Sequence, residues 1–276
     1  MHRIPRPWVG LFAVATALLA TGASAQDKTP VRIGILGFDN YQAVEYVQAY
    51  NHPHPEEELA GLRVTAAYPV VSETYPESAA LTERWQKQML ALHQKPKDPK
   101  DAVPPVEIVD SIDELLKRCD AVMIWSLDST KHLEQATAVL KAKKPLFIGR
   151  PLAPNVEDAI AIFKVAQETG TPCWSCSQHR YSPGFFGMRD HPEVGKVLGC
   201  DVYGGYDTKS AEADRFTRAI HSIETMYTIM GPGVVRVSTT STPITESITA
   251  VWNDGRVATF RGIKQGAIKY SATVFG

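Results

Sequence analysis

The chain of 276 residues carries 29 lysine and arginine side chains against 30 aspartate and glutamate side chains, a formal net charge of −1. A nearly neutral surface of mixed sign gives no support for nucleic-acid binding, because that function needs a strongly basic patch. A chain of this length accommodates one large or two modest domains, each able to bury its own core.

Residues 1–25 have the layout of a secretory signal peptide. Arg3 and Arg6 give a basic start, an apolar run follows at residues 9–20, and Ala23-Ser24-Ala25 offers a small-residue cleavage site. The apolar run is shorter than the roughly 20 residues that span a bilayer, although an uncleaved membrane anchor is the alternative. We therefore expect an exported protein, periplasmic or extracellular, with no membrane contact after cleavage.

The first 175 residues alternate between strand and helix patterns. Predicted strands are Val31–Leu36, Leu62–Tyr68, Val106–Val109, Ala121–Trp125 and Leu146–Ile148. Predicted helices are Tyr41–Tyr50, Ser78–His93, Ser111–Arg118, Thr130–Ala142 and Val156–Glu168, the last capped by Asn155. Strands separated by helices of this length imply right-handed crossovers and a doubly wound parallel sheet. Such sheets bind ligands at the carboxyl ends of their strands.

After about residue 190 the pattern becomes that of a second, α+β domain with a mostly antiparallel open sheet. Predicted strands are Val197–Tyr206, Val234–Thr242, Ser247–Trp252, Val257–Gly262 and Lys269–Phe275, with a helix at Ile220–Met230. Asn253-Asp254-Gly255 is a hairpin turn, because Asp and Gly tolerate positive φ. The predicted domains are 26–153, with 154–178 as the last helix and strand of the first, and 179–276. We expect the second domain to be truncated and its sheet edge to need a partner.

Two clusters of redox- or metal-type side chains are interpreted as structural. Cys173 and Cys176 have the spacing of a redox motif, but they fall in a predicted strand, where residues three apart point to opposite faces. The segment Asn51-His-Pro-His-Pro-Glu-Glu-Glu58 combines imidazoles with carboxylates. Its two prolines and irregular spacing predict a solvated loop, so we expect no metal site.

The most specific motifs lie after the third predicted strand. The segment Asp120–His132 consists of a predicted buried strand followed by a loop and a histidine. The segment Lys144–Ala153 contains a second predicted strand that ends at an Arg-Pro pair. Together with Arg180–Pro183, Gly195–Val197 and Ile220–Glu224, these segments resemble the Gfo/Idh/MocA family, the relatives of glucose-fructose oxidoreductase and inositol dehydrogenase. The resemblance covers essentially all of the chain after the signal peptide. It is closest to exported members with a degenerate glycine motif.

The resemblance implies a Rossmann domain that binds NAD or NADP and a C-terminal domain whose open sheet shapes the substrate site and a homo-oligomer interface. It also implies hydride transfer between a nicotinamide and a hydroxyl-bearing carbon of a small polyhydroxy substrate, a sugar or cyclitol. The implied cofactor-binding residues are Gly37, Phe38, Asp39, Asn40, Ser126, Leu127, Asp128, His132, Arg150 and Pro151. The implied substrate-binding residues are Arg180, Tyr181, His221 and Glu224, with His221 and Arg150 as the catalytic residues.

The glycine loop departs from the family pattern. Gly37 keeps the first glycine and its tight turn, but Asp39 and Gln42 take the second and third positions, where small residues admit the pyrophosphate. A carboxylate there adds repulsion, although Asp39 has an ordinary alternative role as the N-cap of the next helix. The second strand ends in Tyr68-Pro69 with no acid for the ribose, so NAD and NADP both stay open.

The catalytic strand end departs as well, because Arg150 replaces the family's lysine. A guanidinium stays protonated above about pH 12 and cannot act as a base, so Arg150 is expected to orient a hydroxyl or carboxylate. His221 aligns with the family's catalytic histidine and becomes the sole proton carrier, since imidazole titrates near neutral pH. Structural roles stay open for His221, His132 and Arg180. The departures leave a second hypothesis, a nucleotide- or carbohydrate-binding module that has lost turnover.

Overall fold

The computed structural model describes residues 29–92, 98–99, 102–206, 212–267 and 269–276, and within the helix that begins at residue 212 it describes side chains from residue 218 onward. The predicted signal peptide lies outside these residues. The described chain forms two sheets that follow one another in sequence. Among the described helices, none is long and apolar enough to cross a bilayer.

Six strands form the first sheet: β1 (Val31–Leu36), β2 (Leu62–Tyr68), β3 (Glu107–Ile108), β4 (Ala121–Ile124), β5 (Leu146–Ile148) and β6 (Cys173–Trp174). All pair in parallel, in the order β3-β2-β1-β4-β5-β6. The strand order reverses between β1 and β4, so their carboxyl ends flank the crevice where doubly wound sheets bind ligands. The predicted doubly wound Rossmann sheet is confirmed.

Five helices cover the two faces of this sheet: α1 (Tyr41–Tyr50), α2 (Ser78–Ala91), α3 (Ile112–Lys117), α4 (His132–Lys141) and α5 (Val156–Thr169). On one face α3, α4 and α5 pack through a core that includes Leu115, Leu140 and Ile162. On the other face α1 and α2 pack through a core that includes Val47 and Met89. The strands between them are therefore apolar on both sides, as a parallel sheet requires.

Two helix starts show how local sequence sets the ends of the elements. The side chain of Asn40 accepts from the amide of Gln42 at 2.8 Å, and that of Asn155 accepts from the amide of Asp158 at 2.7 Å. Such caps satisfy amides that have no partner within the helix. The predicted cap at Asn155 is confirmed. The alternative role of Asp39 as the cap of α1 is wrong, because Asn40 holds that position.

The second sheet contains β7 (Gly199–Gly205), β8 (Val234–Ser241), β9 (Thr245–Trp252), β10 (Val257–Ile263) and β11 (Ser271–Phe275). Its order is β11-β7-β10-β9-β8, with β7 and β10 parallel and the other pairs antiparallel, which confirms the mostly antiparallel prediction. A four-residue helix, α6 (Pro183–Phe186), precedes the sheet. The long helix α7 (Glu212–Met230) packs on one face, where Ile229 joins a core with Trp252 and Phe260.

One boundary differs markedly from the prediction, because α7 begins at Glu212 rather than at Ile220. The added residues, 212–219, include two alanines, two arginines and one glutamate, which favour helix without forming an apolar stripe. A prediction based on apolar periodicity therefore starts too late. The hairpin turn after β9 is confirmed, since Gly255 has a φ of +87°.

The cysteines of the described chain are free thiols. Burial raises the pKa of Cys173 to about 11 and also raises the pKa of Cys176. A thiol that stays protonated at neutral pH is a poor nucleophile, which supports the structural interpretation of this pair. No three histidine, cysteine, aspartate or glutamate side chains of the described residues come together as metal ligands.

Candidate functional site

Three loops meet at the edge of the first sheet where β1, β4 and β5 end. They are residues 37–40, 126–128 and 149–151. Because the three strands are neighbours in a parallel sheet, loops that lie far apart in the chain become adjacent. Nine of the ten predicted cofactor-binding residues belong to these loops, and His132 follows the second of them.

Gly37 makes a turn that requires glycine. Its φ is +73°, and a Cβ added there would lie 2.6 Å from the backbone nitrogen of Ser126. Its amide donates to the carbonyl of Tyr68 at 2.9 Å. The predicted tight turn is confirmed, and it packs the loop after β1 directly against the loop after β4.

The Asp39 carboxylate lies inside the crevice between these two loops, with only 1% of the residue exposed. Its Oδ1 accepts from the amide of Leu127 at 2.8 Å, and its Oδ2 accepts from the hydroxyl of Ser78 at 2.8 Å. Burial raises the pKa of Asp39, these hydrogen bonds oppose that rise, and the charge of Asp128 adds to it. The carboxylate therefore takes donors that in related folds face a bound anion.

Asp128 is a second buried carboxylate in the same crevice. One of its oxygens accepts from the hydroxyl of Ser72 at 2.6 Å and from that of Thr74 at 3.1 Å, while the other accepts from the amide of Thr130 at 3.1 Å. Burial alone raises the pKa of Asp128, but the hydrogen bonds outweigh burial and bring the pKa below its ordinary value. Asp128 thus ties the segment after β2 to the loop after β4.

Four other predicted cofactor residues of these loops, Phe38, Asn40, Ser126 and Pro151, also face the protein. Phe38 is fully buried in the core under α1 and α2. Asn40 caps α1 and donates to a neighbouring carbonyl, and the hydroxyl of Ser126 donates to Gln135 at 2.9 Å. Pro151 is buried. The tertiary structure brings the predicted residues together, but the side chains of Asp39, Asn40, Ser126 and Asp128 bind other groups of the protein.

His132 is fully buried at the start of α4. Its Nε2 lies 2.9 Å from the carbonyl oxygen of Ser126, and its Nδ1 lies 3.1 Å from that of Leu152. Burial lowers the pKa of His132, while the two carbonyls favour its charged form. Both ring nitrogens contact the backbone, so this geometry supports the structural alternative over a role in lining the nicotinamide.

A dinucleotide does not fit the β1–β4 crevice in this arrangement of the loops. The amides of Leu127 and Gln42 would be donors to its phosphates, but they bind the side chains of Asp39 and Asn40. The carboxylates of Asp39 and Asp128 also add negative charge to the crevice where doubly wound folds bind a pyrophosphate. Like charges that are close together and shielded from water repel one another strongly.

A second set of polar side chains lies beyond the carboxyl end of β5, where the loop after β6 meets α7. The ring centroid of His179 is 4.8 Å from that of His221 and 4.8 Å from that of Tyr270. The centroids of His221 and Tyr270 are 5.6 Å apart. Burial lowers the pKa of both histidines, and the nearby charge of Arg150 lowers both further. Arg150, which follows β5 of the first sheet, therefore lies near His221 of α7 and Tyr270, which precedes β11 of the second sheet.

His221 is nearly buried, and its Nδ1 lies 2.6 Å from the hydroxyl oxygen of Ser177. That oxygen also accepts from the amide of His179 at 3.1 Å, so Ser177 fixes the orientation of the His221 ring and occupies its Nδ1. Burial, the charge of Arg150 and the proximity of His179 lower the pKa of His221 to about 3. The prediction that this imidazole titrates near neutral pH is wrong, because its surroundings stabilise the neutral ring.

The predicted substrate residues Arg180 and Glu224 form an ion pair between Nε and Oε1. The carboxylate of Glu224 is largely buried and the guanidinium of Arg180 is about half exposed. The neighbouring Tyr181 is 67% exposed. The ion pair attaches the single turn at Gln178–Tyr181 to α7, so these two charges balance each other at the rim of the site.

Sequence reasoning missed Ser177, His179 and Tyr270. All three lie in loops or in the single turn before α6 and β11, and these short segments have no apolar periodicity from which to predict them. Tyr270 packs on β7 at Gly204, where an added Cβ would lie 2.6 Å from the tyrosine ring. The one available signal was position, since Ser177 and His179 directly precede the Arg180 segment that carried the family resemblance.

A cavity of about 520 Å³ lies on the face of the first sheet that α1 covers in part. Arg150 lines this cavity, whereas His179, His221 and Tyr270 do not. Arg150 and Gln178 contribute polar groups to its wall, and Tyr46, Trp125 and Trp174 contribute aromatic rings. The rings of Tyr46 and Trp125 stack with centroids 4.9 Å apart. The volume is that of a small-molecule site.

The sequence of the first sheet and its loops matches a known protein family. The model of the oxidoreductase family with an NAD-binding Rossmann fold, the Gfo/Idh/MocA proteins, matches residues 31–176. The chain belongs to the Gfo/Idh/MocA family. The matched residues include all six strands of the first sheet and the three loops at its carboxyl edge. The resemblance inferred from motifs is confirmed, while membership of an exported subgroup stays a prediction.

One curated member of the family is similar over a short stretch. The myo-inositol dehydrogenase Hyg17 of Streptomyces leeuwenhoekii is 30% identical over 91 residues. The match covers 33% of this chain and 28% of that protein. The alignment therefore spans little more than a quarter of the curated relative.

Solved structures of the family are similar over most of the chain. A putative myo-inositol dehydrogenase from Sinorhizobium meliloti has a TM-score of 0.66 at 18% identity, covering 89% of this chain and 73% of that one. A scyllo-inositol dehydrogenase from Lactobacillus casei with bound NAD(H) and scyllo-inositol has a TM-score of 0.65 at 14% identity, covering 90% and 74%. At these identities the likeness establishes the fold.

Proposed function

We propose that this protein is an NAD(P)-dependent oxidoreductase that acts on a hydroxyl group of a small sugar- or cyclitol-like compound. The observation that carries the proposal is the convergence of Arg150, His221 and Tyr270 beyond the carboxyl end of β5, where Arg150 also lines a cavity of small-molecule size. Membership of an oxidoreductase family supports the reaction class.

The chemistry of these side chains suits a neutral ligand with several hydroxyl groups. Arg150 is a permanent cation that can only donate hydrogen bonds, so it orients a hydroxyl oxygen. His221 is held neutral, and its ring offers one donor and one acceptor. The Tyr270 hydroxyl both donates and accepts. A polyhydroxy compound presents the matching alternation of donors and acceptors on neighbouring carbons.

The known relatives support the same substrate class. The similar Streptomyces protein is named a myo-inositol dehydrogenase, and the Lactobacillus structure holds scyllo-inositol together with NAD(H). The choice between NAD and NADP stays open for this chain, because β2 ends in Tyr68-Pro69 and offers no acid for the ribose.

Export and self-association also belong to the proposal. The case for self-association rests on β8, an edge strand that is exposed along residues 235–241. Val235 and Val237 lie on it with more than half of their surface open. An exposed apolar edge readily pairs with another strand, so a second copy of this chain is the expected partner.

The function is tested by following reduced nicotinamide absorbance when the purified protein is mixed with NAD or NADP and a panel of inositols and aldoses. We expect turnover of at least one polyol with one of the coenzymes. A protein that binds a polyol in calorimetry, yet turns over none of them and releases no coenzyme on gentle denaturation, would instead be the binding module considered from the sequence.

Arg150→Lys is expected to leave kcat unchanged or to raise it, by up to about 100-fold if the amine takes up proton transfer. A lysine can orient the same hydroxyl, and unlike a guanidinium it can share its proton. The measurement is kcat and KM for whichever polyol is oxidised. Arg261→Lys, on an exposed position of β10, is the matched control and should leave both constants unchanged. Complete loss of turnover in the Arg150 variant would contradict the orienting role.

A further inference from the structure

In the phosphate-binding loop of this chain, the side-chain carboxylate of Asp39 is itself the anion that the nearby donors bind. A Rossmann crevice normally offers unpaired amides at the start of α1 and between the loops after β1 and β4. In this protein the amide of Gln42 donates to Asn40 at 2.8 Å and that of Leu127 donates to Asp39 at 2.8 Å. The amide of Gly37 donates to a carbonyl of β2.

The segment after β2, residues 69–78, closes over this internal anion. Ser78 donates to Asp39 at 2.8 Å, and Ser72 donates to Asp128 at 2.6 Å. The Ser72 amide in turn donates to the Ser78 hydroxyl at 2.9 Å. Hydrogen bonds therefore run without a break from the loop after β1, through this segment, to the loop after β4. The path joins the two loops that flank the crevice where doubly wound sheets bind ligands.

The side chains that close the crevice are shielded from solvent. Ser72, Ser78, Asp39 and Asp128 are all buried. Burial disfavours the charged carboxylates, and the hydroxyl donors compensate for the lost water. Both carboxylates thus find their hydrogen-bond donors within the protein.

We propose that residues 69–78 form a latch over the coenzyme crevice, and that a dinucleotide binds only when the latch swings away and the Asp39 carboxylate leaves the amide of Leu127. The inference rests on the proposed function, since it concerns the coenzyme half of that site. The apparent affinity for coenzyme is then the intrinsic affinity multiplied by the fraction of molecules with an open latch.

Removing the two latch hydroxyls tests the inference directly. The double variant Ser72→Ala/Ser78→Ala is expected to bind NADH or NADPH about tenfold more tightly than the wild type, because the open fraction rises. Binding is measured by calorimetry and by nicotinamide fluorescence on the full chain. Thr169→Ala is the matched control, because it removes a hydroxyl bonded to a carbonyl at the end of α5 and should leave affinity unchanged.

Two outcomes overturn the latch. One is equal or weaker coenzyme binding by the double variant than by the wild type. The other is no binding of either coenzyme by any variant. Tight binding by the double variant with no turnover of any polyol leaves the latch standing and counts against the proposed function instead.

A measurement on the wild type covers the case in which the double variant fails to fold. Saturating NADH or NADPH should speed hydrogen exchange at the amides of Ser72 and Ser78, because both residues are buried in the closed form and would meet solvent when the segment swings away. Coenzyme binding that leaves the exchange of these amides unchanged, or slows it, would contradict the opening.

Discussion

Replacing Lys264 by methionine is expected to lower the free energy of unfolding by about 3 kcal/mol or more. Lys264 Nζ lies 2.8 Å from Glu246 Oε2 and 2.7 Å from the hydroxyl of Ser241, and the two charged side chains are 6% and 11% exposed. Methionine fills a similar volume, so the loss comes from leaving the Glu246 carboxylate buried without its cation. Urea denaturation followed by tryptophan fluorescence measures the change.

Two further variants separate this effect from a general loss of lysine. Lys87→Met breaks an exposed pair with Glu83 and should leave stability unchanged, because exposed pairs contribute little. The double variant Glu246→Gln/Lys264→Met removes both charges and should recover much of the loss. Equal stabilities for the two lysine variants would contradict the role given to the buried pair.

The same pair makes stability depend on pH. Burial alone raises the pKa of Glu246, but hydrogen bonds from Lys264, Ser241 and Thr239 outweigh it and lower the pKa to about 2, from an ordinary value of 4.5. A carboxyl whose pKa is depressed on folding stabilises the protein fully above its unfolded value and loses that contribution as pH falls toward the folded value. Unfolding measured from pH 5 to 2 should therefore show a steeper acid loss in the wild type than in the double variant.

Replacing His221 by alanine is expected to lower kcat/KM for the oxidised polyol by about 100-fold or more. The ring lies in contact range of His179 and Tyr270, and its Nδ1 is bound to Ser177, so Nε2 is the atom left to meet a substrate hydroxyl. Calorimetry with the polyol should show weaker binding as well, which gives a readout that does not depend on turnover.

The neutral state of His221 gives a second check. With a pKa of about 3, its ring should keep the NMR signature of a neutral imidazole from pH 8 to 5. His191 is exposed, so His191→Ala is the matched control and should leave kcat/KM unchanged. A His221 resonance that titrates near pH 6.5, or full activity in the alanine variant, would contradict the assignment.

Much of the fold could be predicted because buried strands carry their own signal. Ala121–Ile124 is apolar throughout, as a strand covered on both faces must be, and Val31–Leu36 begins and ends where its pattern indicates. The predicted bounds were less accurate for the two-residue strands β3 and β6 and for the start of α7. Their ends depend on pairing partners and on polar helix formers, and neither of these produces an apolar repeat.

The site was only partly accessible from sequence. The parallel sheet predicted that loops 37–40, 126–128 and 149–151 would meet, and they do. The sequence also identified Asp39 as the residue that departs from a phosphate loop. It could not tell that this carboxylate binds the amide of Leu127 and the hydroxyl of Ser78, because those partners come from two other segments of the chain.

The sequence by itself determined the family, the order of strands and helices, and the residues brought to the carboxyl edge, because periodicity and short motifs are local properties of the chain. Only the tertiary structure decided the state of the groups at that edge. The low pKa of His221, the buried pair of Lys264 and Glu246 and the closed crevice at Asp39 all arise from burial and from partners distant in sequence. Desolvation and hydrogen bonding act through space, so no linear pattern records them.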